Sequence, residues 1–131
     1  MTRIILGLTG FAFIGFGAAF ALWPAPMAAM TELGLATSTA LVDFAATYGG
    51  FQLGFGTFLL LCLRRQTWVE AGLWAGLLAL GGFGAVRVLT LLASGAPVRP
   101  VIFVALSIEL GGVLLNGWAL ARLRRSPGAA A

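Results

Sequence analysis

The residues from Ile4 to Trp23 form an apolar run without a charge, about as long as a helix must be to cross a bilayer. Such a segment has few options. Backbone N–H and C=O groups in hydrocarbon find no water, and a helix satisfies them within one segment. Three further runs follow. Asp43 to Leu63 is closed by Arg64 and Arg65, and Trp68 to Leu92 is interrupted by Arg87. Val101 to Leu123 carries Glu109 and Asn116 and ends among Arg122, Arg124 and Arg125. Ala19-Phe20-Ala21 imitates a signal cleavage site, but the run around it is too long for a signal core, so a retained span is expected. Only 9% of residues are charged, against about a quarter in a soluble domain. The expected fold is all-α: an integral membrane four-helix antiparallel bundle, one domain over residues 1–131, with spans at about 4–23, 43–63, 68–92 and 101–123.

All eight basic residues are arginines, and they gather at the ends of the oily runs. They read as topology signals rather than a nucleic-acid surface. Arg3, Arg64, Arg65 and Arg122 to Arg125 fall on one side; Glu32, Asp43 and Arg99 fall on the other. Both termini are therefore expected in the cytoplasm, with Trp23 and Trp68 as interfacial anchors, in a multi-pass protein of the bacterial inner membrane. The lone Cys62 allows no intrachain disulfide and is read as an apolar filler. With no histidine, neither a metal site nor a cofactor is expected.

Short links between the last three runs make neighbours of them. The longer first loop opens with Pro24-Ala-Pro26 and places Met27, Met30 and Leu33 at helical spacing, which predicts a short interfacial helix within 26–36. Ser38 or Thr39 is the expected cap of the second span. Gly50-x-x-x-Gly54 and Gly72-x-x-x-Gly76 are the expected sites of close helix approach. The pairs Gly49-Gly50, Gly81-Gly82 and Gly111-Gly112 are read as close packing, or as missing side chains that leave a small cavity. The Ser126-Pro-Gly-Ala tail is expected to fray.

Arg87 and Glu109 are the charges that need explaining, because a charge at bilayer depth is costly and needs a partner. Arg87 lies about 8 Å, and Glu109 about 14 Å, inside the outer ends of their helices. Side chains on adjacent antiparallel helices can span that offset, so a charge-assisted pair is expected. Asn116 falls on the Glu109 face, seven residues on. Tyr48 and Gln52 are four apart and are placed toward the pair, with Asp43 at the rim. The candidate cluster is thus Arg87, Glu109, Tyr48, Gln52, Asn116 and Asp43, with no residue assigned as catalytic. Plainer readings stand beside it: Arg87 snorkelling to headgroups, a purely structural pair, and polar side chains that glue helices. Glu32 and Arg99 read as solvated loop charges.

The run Asp43-Phe-Ala-Ala-Thr-Tyr48-Gly49-Gly50, with Arg87, Ser94-Gly95-Ala-Pro97 and Glu109, resembles a family of small bacterial four-helix membrane proteins catalogued as a domain of unknown function. That family looks distantly like the DoxX-type membrane proteins. An arginine commonly precedes Tyr-Gly-Gly in it, where this chain has Ala46-Thr47. The resemblance implies a fold and polar positions, but no activity.

The leading functional expectation is a module that binds a lipid or small hydrophobic ligand, or an accessory subunit of a larger membrane complex or homo-oligomer. Its partners are then the bilayer, such a ligand or such a complex, and not nucleic acid. An oligomeric proton-coupled transporter is the second reading, although the first span lacks the acid of small four-helix exporters. A membrane enzyme acting on a lipid or quinone, with Glu109 or Asp43 as acid/base, is the third.

Overall fold

The computed structural model describes residues 1–125, so the Ser126 tail lies outside the described residues. Five helices follow one another, and no strand occurs among those residues: α1 (Thr2–Leu22), α2 (Pro24–Met30), α3 (Ser38–Cys62), α4 (Gln66–Ser94) and α5 (Pro100–Arg125). All but α2 are long and apolar enough to cross a membrane. Their exposed faces carry Ile4, Phe11, Leu89, Leu92, Phe103 and Leu114, as lipid-facing helices require.

Local chemistry sets the boundaries. Trp23 leaves the helical region because Pro24 follows it, and Pro24 then opens α2 from its first turn. Glu32, at φ 59°, turns the chain after α2. Thr37 caps α3 by accepting from the Ala40 N–H at 3.1 Å. Ser38 and Thr39, the expected caps, are already helical, and a cap must sit in extended backbone as Thr37 does. Helix α3 therefore begins a turn before Asp43. Gly95, left-handed at φ 61°, stops α4, and Pro100 starts α5.

Residues 45–50 of α3 form a π-helical segment, in which the Phe51 N–H donates to the Ala46 carbonyl. The wider turn brings Phe44 and Gly49, five residues apart, onto the face packed against α1. In a regular α-helix they would diverge. A uniform helical rotation does not hold across this segment.

Helices α1 and α3 run in opposite directions along a glycine seam. A Cβ on Gly17 would lie 2.7 Å from the Leu53 nitrogen, one on Gly49 2.7 Å from the Ala21 nitrogen, and one on Gly56 2.8 Å from the Gly10 carbonyl oxygen. Gly50 and Gly54 meet nothing, so the first expected glycine motif faces outward. Gly72 and Gly76 do face neighbours, Leu6 and Cys62 for one and Asn116 and Thr9 for the other. Helices α4 and α5 are also opposed, with Gly112 against Leu80 and Gly117 against Leu77.

The apolar core gathers near the chain termini, around Leu6, Leu59, Cys62, Val69, Leu73 and Leu120. This is the basic end of the molecule, where Arg3 donates to the Leu63 carbonyl and to Gln66. At the other, distal end a smaller cluster of Phe20, Ala28 and Phe44 joins α1, α2 and α3. The buried residues of α4 are Val69, Gly72, Leu73 and Gly76. The rest of α4 toward the distal end is at most half-buried, because it packs on α5 while standing off α3.

The seam predicts opposite outcomes for two similar changes. Gly17→Ala should cost about 1–3 kcal/mol through overpacking against backbone. Gly50→Ala should be neutral, or gain up to about 1 kcal/mol of helix propensity. Unfolding of both variants in the same detergent checks this, and equal shifts would contradict the seam.

Candidate functional site

Gly84 packs against Glu109, with its Cβ position 3.6 Å from both the Glu109 Cβ and Oε2. The missing side chain lets α5 bring its carboxylate close to α4. Arg87, one turn along α4, then reaches it: Nε donates to Oε1 and Oε2 at 3.2 Å each, and Nη2 donates to Oε1 at 2.7 Å. The contact is the charge-assisted fork that compensates both charges in a low dielectric. Its burial is unequal: the Glu109 side chain is 9% exposed and that of Arg87 37%. The guanidinium walls the carboxylate off. Nη1 has no hydrogen-bond partner among the described residues.

The exposed side of Arg87 faces an open groove of about 800 Å³ between α3 and the distal half of α4. Phe51 forms one wall; Leu78, Gly82, Phe83 and Val86 of α4 form the other. Thr90 and Ser94 lie toward its distal mouth among Leu91, Ala96 and Ile102, so hydroxyls enter the lining only beyond Arg87. Gly82 opens into empty space, as expected for a cavity left by a missing side chain. Glu109 is not part of the lining.

The other candidate residues separate. Tyr48 sits in an aromatic group, with ring centroids 4.8 Å from Phe44 and 5.8 Å from Phe20, and within electrostatic reach of Arg87. Gln52 is half-buried, its backbone against Gly17, and it makes no hydrogen bond with its side chain among the described residues. Asp43 is exposed and makes no ion pair among them. Asn116 belongs to a different polar contact. Its Nδ2 donates to Thr9 Oγ1 at 3.1 Å and to the Gly112 carbonyl at 2.8 Å, tying α5 to α1. Its Oδ1 lies against Gly76 without a hydrogen bond. The structure therefore brings together Arg87 and Glu109, sets Tyr48 nearby, and leaves Asn116, Gln52 and Asp43 elsewhere.

Three features escaped the sequence reading. Arg99 donates to Glu32 at 2.9 Å, so these are not merely solvated charges but a tie between the two distal loops. Glu70 pairs with Arg124 at 3.1 Å at the basic end. The guanidinium groups of Arg65, Arg122 and Arg124 stand over Trp68, Trp118 and Trp74, at 5.0, 4.8 and 5.3 Å. The spacing of Trp118 to Arg122 is a helical-neighbour signal that was legible, whereas Arg65 reaches Trp68 from the extended residue before α4. The Glu70 contact depends on the register between α4 and α5. No group of three His, Cys, Asp or Glu side chains placed to hold a metal occurs among the described residues.

A family model described as a domain of unknown function (DUF4345) matches residues 1–120. No curated protein and no solved structure matches the chain.

Removing one partner of the pair should hurt more than removing both. Arg87→Met should cost about 1–3 kcal/mol, less than the roughly 3–5 of a fully buried pair because the guanidinium is partly exposed. Adding Glu109→Met should recover most of the loss. Equilibrium unfolding in detergent measures the cycle, and strictly additive losses would mean the two side chains do not stabilise one another.

Proposed function

The chain belongs to the DUF4345 family, and from that premise we propose that it is a small multi-pass membrane protein that holds an amphipathic lipid in the groove between α3 and α4. The observation that carries the reading is the pairing of an apolar trough with Arg87, whose Nη1 is unused by protein at the trough's midpoint. Pockets for small ligands have this composition, mostly apolar with a few placed polar groups that fix orientation. Phe51 and Phe83 supply flat walls for a chain, and Arg87 a donor for a head.

The proposed arrangement is a single membrane domain, an antiparallel four-helix bundle in a bacterial inner membrane with both termini cytoplasmic. The arginine-rich basic end supports that orientation through the positive-inside preference. The groove then opens in the outer leaflet. Long lipid-facing surfaces on α1 and α5 leave room for association with a larger membrane complex. A role for Glu109 as an exposed acid/base is disfavoured by its position behind Arg87.

Native mass spectrometry after mild extraction should detect one retained lipid per chain. Gly82→Leu, which places a side chain in open space, should abolish retention without lowering thermal stability. The same lipid occupancy in both proteins would remove the groove as the binding site. For orientation, Gly34→Cys in the α2–α3 loop should react with an impermeant maleimide added outside intact cells, while the fully buried Cys62 stays silent. Labelling only after lysis would reverse the topology.

A further inference from the structure

We infer that the groove selects an uncharged acyl ester, with the ester carbonyl at Arg87, the chain lying toward Leu78 and a hydroxylated head at Thr90 and Ser94. This inference rests on the lipid-binding reading and adds the chemistry of the ligand. Its basis is the charge state of the pair. Glu109 takes two donor atoms of Arg87, Nε and Nη2, and supplies one negative charge to match the guanidinium. The site is therefore neutral as built, yet Nη1 still offers N–H groups. A neutral carbonyl accepts from them and adds no charge at that depth. An anionic head leaves a net negative charge in a largely apolar trough, and a buried uncompensated charge is costly.

The order of residues along α4 sets the rest of the ligand. From Arg87 toward the basic end, the groove is lined by Val86, Phe83, Gly82 and Leu78, all apolar. That stretch is about 14 Å long at a helical rise. From Arg87 toward the distal end it passes Thr90 and Leu91 and reaches Ser94 after about 10 Å, with Ala96 and Ile102 alongside. The Ser94 hydroxyl already donates to the Leu91 carbonyl and accepts from the Ala96 N–H, which leaves Thr90 as the hydroxyl nearest Arg87 that is free for a ligand. Thr90 is exposed, and its hydroxyl has no side-chain hydrogen bond among the described residues. A single-chain glycerol ester presents the same sequence of chemistry: hydrocarbon, one ester carbonyl, then hydroxyls. Gly82 marks where the chain runs closest to the helix, since a Cβ there would meet nothing within 4 Å.

Two photoreactive probes test this in the intact protein: a monoacylglycerol with a diazirine in its chain, and the alkyl sulfonate with the same chain, which stays anionic at any usable pH. Irradiation in detergent and peptide mapping should place the monoacylglycerol label on α4 between Leu78 and Leu91, at about ten times the yield of the sulfonate. Gly82→Leu should remove that label, with its unfolding temperature showing that the protein remains folded. Equal or greater labelling of the same stretch by the sulfonate would overturn the selection of an uncharged head while leaving a lipid groove in place. No label on that stretch from either probe, or an unchanged label in Gly82→Leu, would overturn the groove reading and this inference with it.

Discussion

In a bilayer, apolar side chains gain little by leaving lipid for protein, so helices associate where backbones approach closely or polar groups meet. This chain uses both devices, and uses them in different places. Helices α1 and α3 are joined by Gly10, Gly17, Gly49 and Gly56, where a single added carbon would meet backbone atoms. Helices α4 and α5 are joined in their distal half by Arg87 and Glu109, with Gly84 providing the room. All four long helices share one core at the basic end, around Leu6, Leu59, Leu73 and Leu120.

The groove follows from that division. Two tightly made pairs that converge at one end leave a wedge at the other, and α4 forms one wall of it. The ion pair belongs to the wall rather than to the space. Glu109 faces inward, nearly buried, and Arg87 shields it while presenting its remaining donors outward. One interaction thus holds two helices together and gives the groove its only charged lining residue among the described residues.

Much of this was legible in the sequence, for physical reasons that differ by residue. The four membrane-crossing helices follow from run length and the absence of charge, and the meeting of Arg87 with Glu109 follows from the cost of leaving either alone. Their different exposure was not legible, because it depends on α3 standing away from α4. The glycine seam was placed on Gly50 and Gly54 instead of Gly49 and Gly56, because each pair shares one helix face and only the assembled helices show which face meets α1. Asn116 shares a face with Glu109, but the sequence could not show that Thr9, more than a hundred residues earlier, is its partner. The tie between Glu32 and Arg99 was hidden for the same reason: it joins two loops whose proximity exists only once the helices are assembled.

The π-helical segment also divides α3 into two parts with separate bearings. Phe44, just before it, and Tyr48, within it, are matched to Phe20 and so to the α2 side of the molecule. After it, Gly56, Leu59 and Cys62 are matched to α1 and the basic-end core. The extra residue in the wide turn acts as a phase corrector, comparable to a vernier between two scales that do not share a unit. Without it, one continuous helix would have to satisfy both sets of neighbours with a single angular repeat. With it, a fixed extra offset lets residues at the distal end and at the basic end face their separate neighbours within one continuous helix.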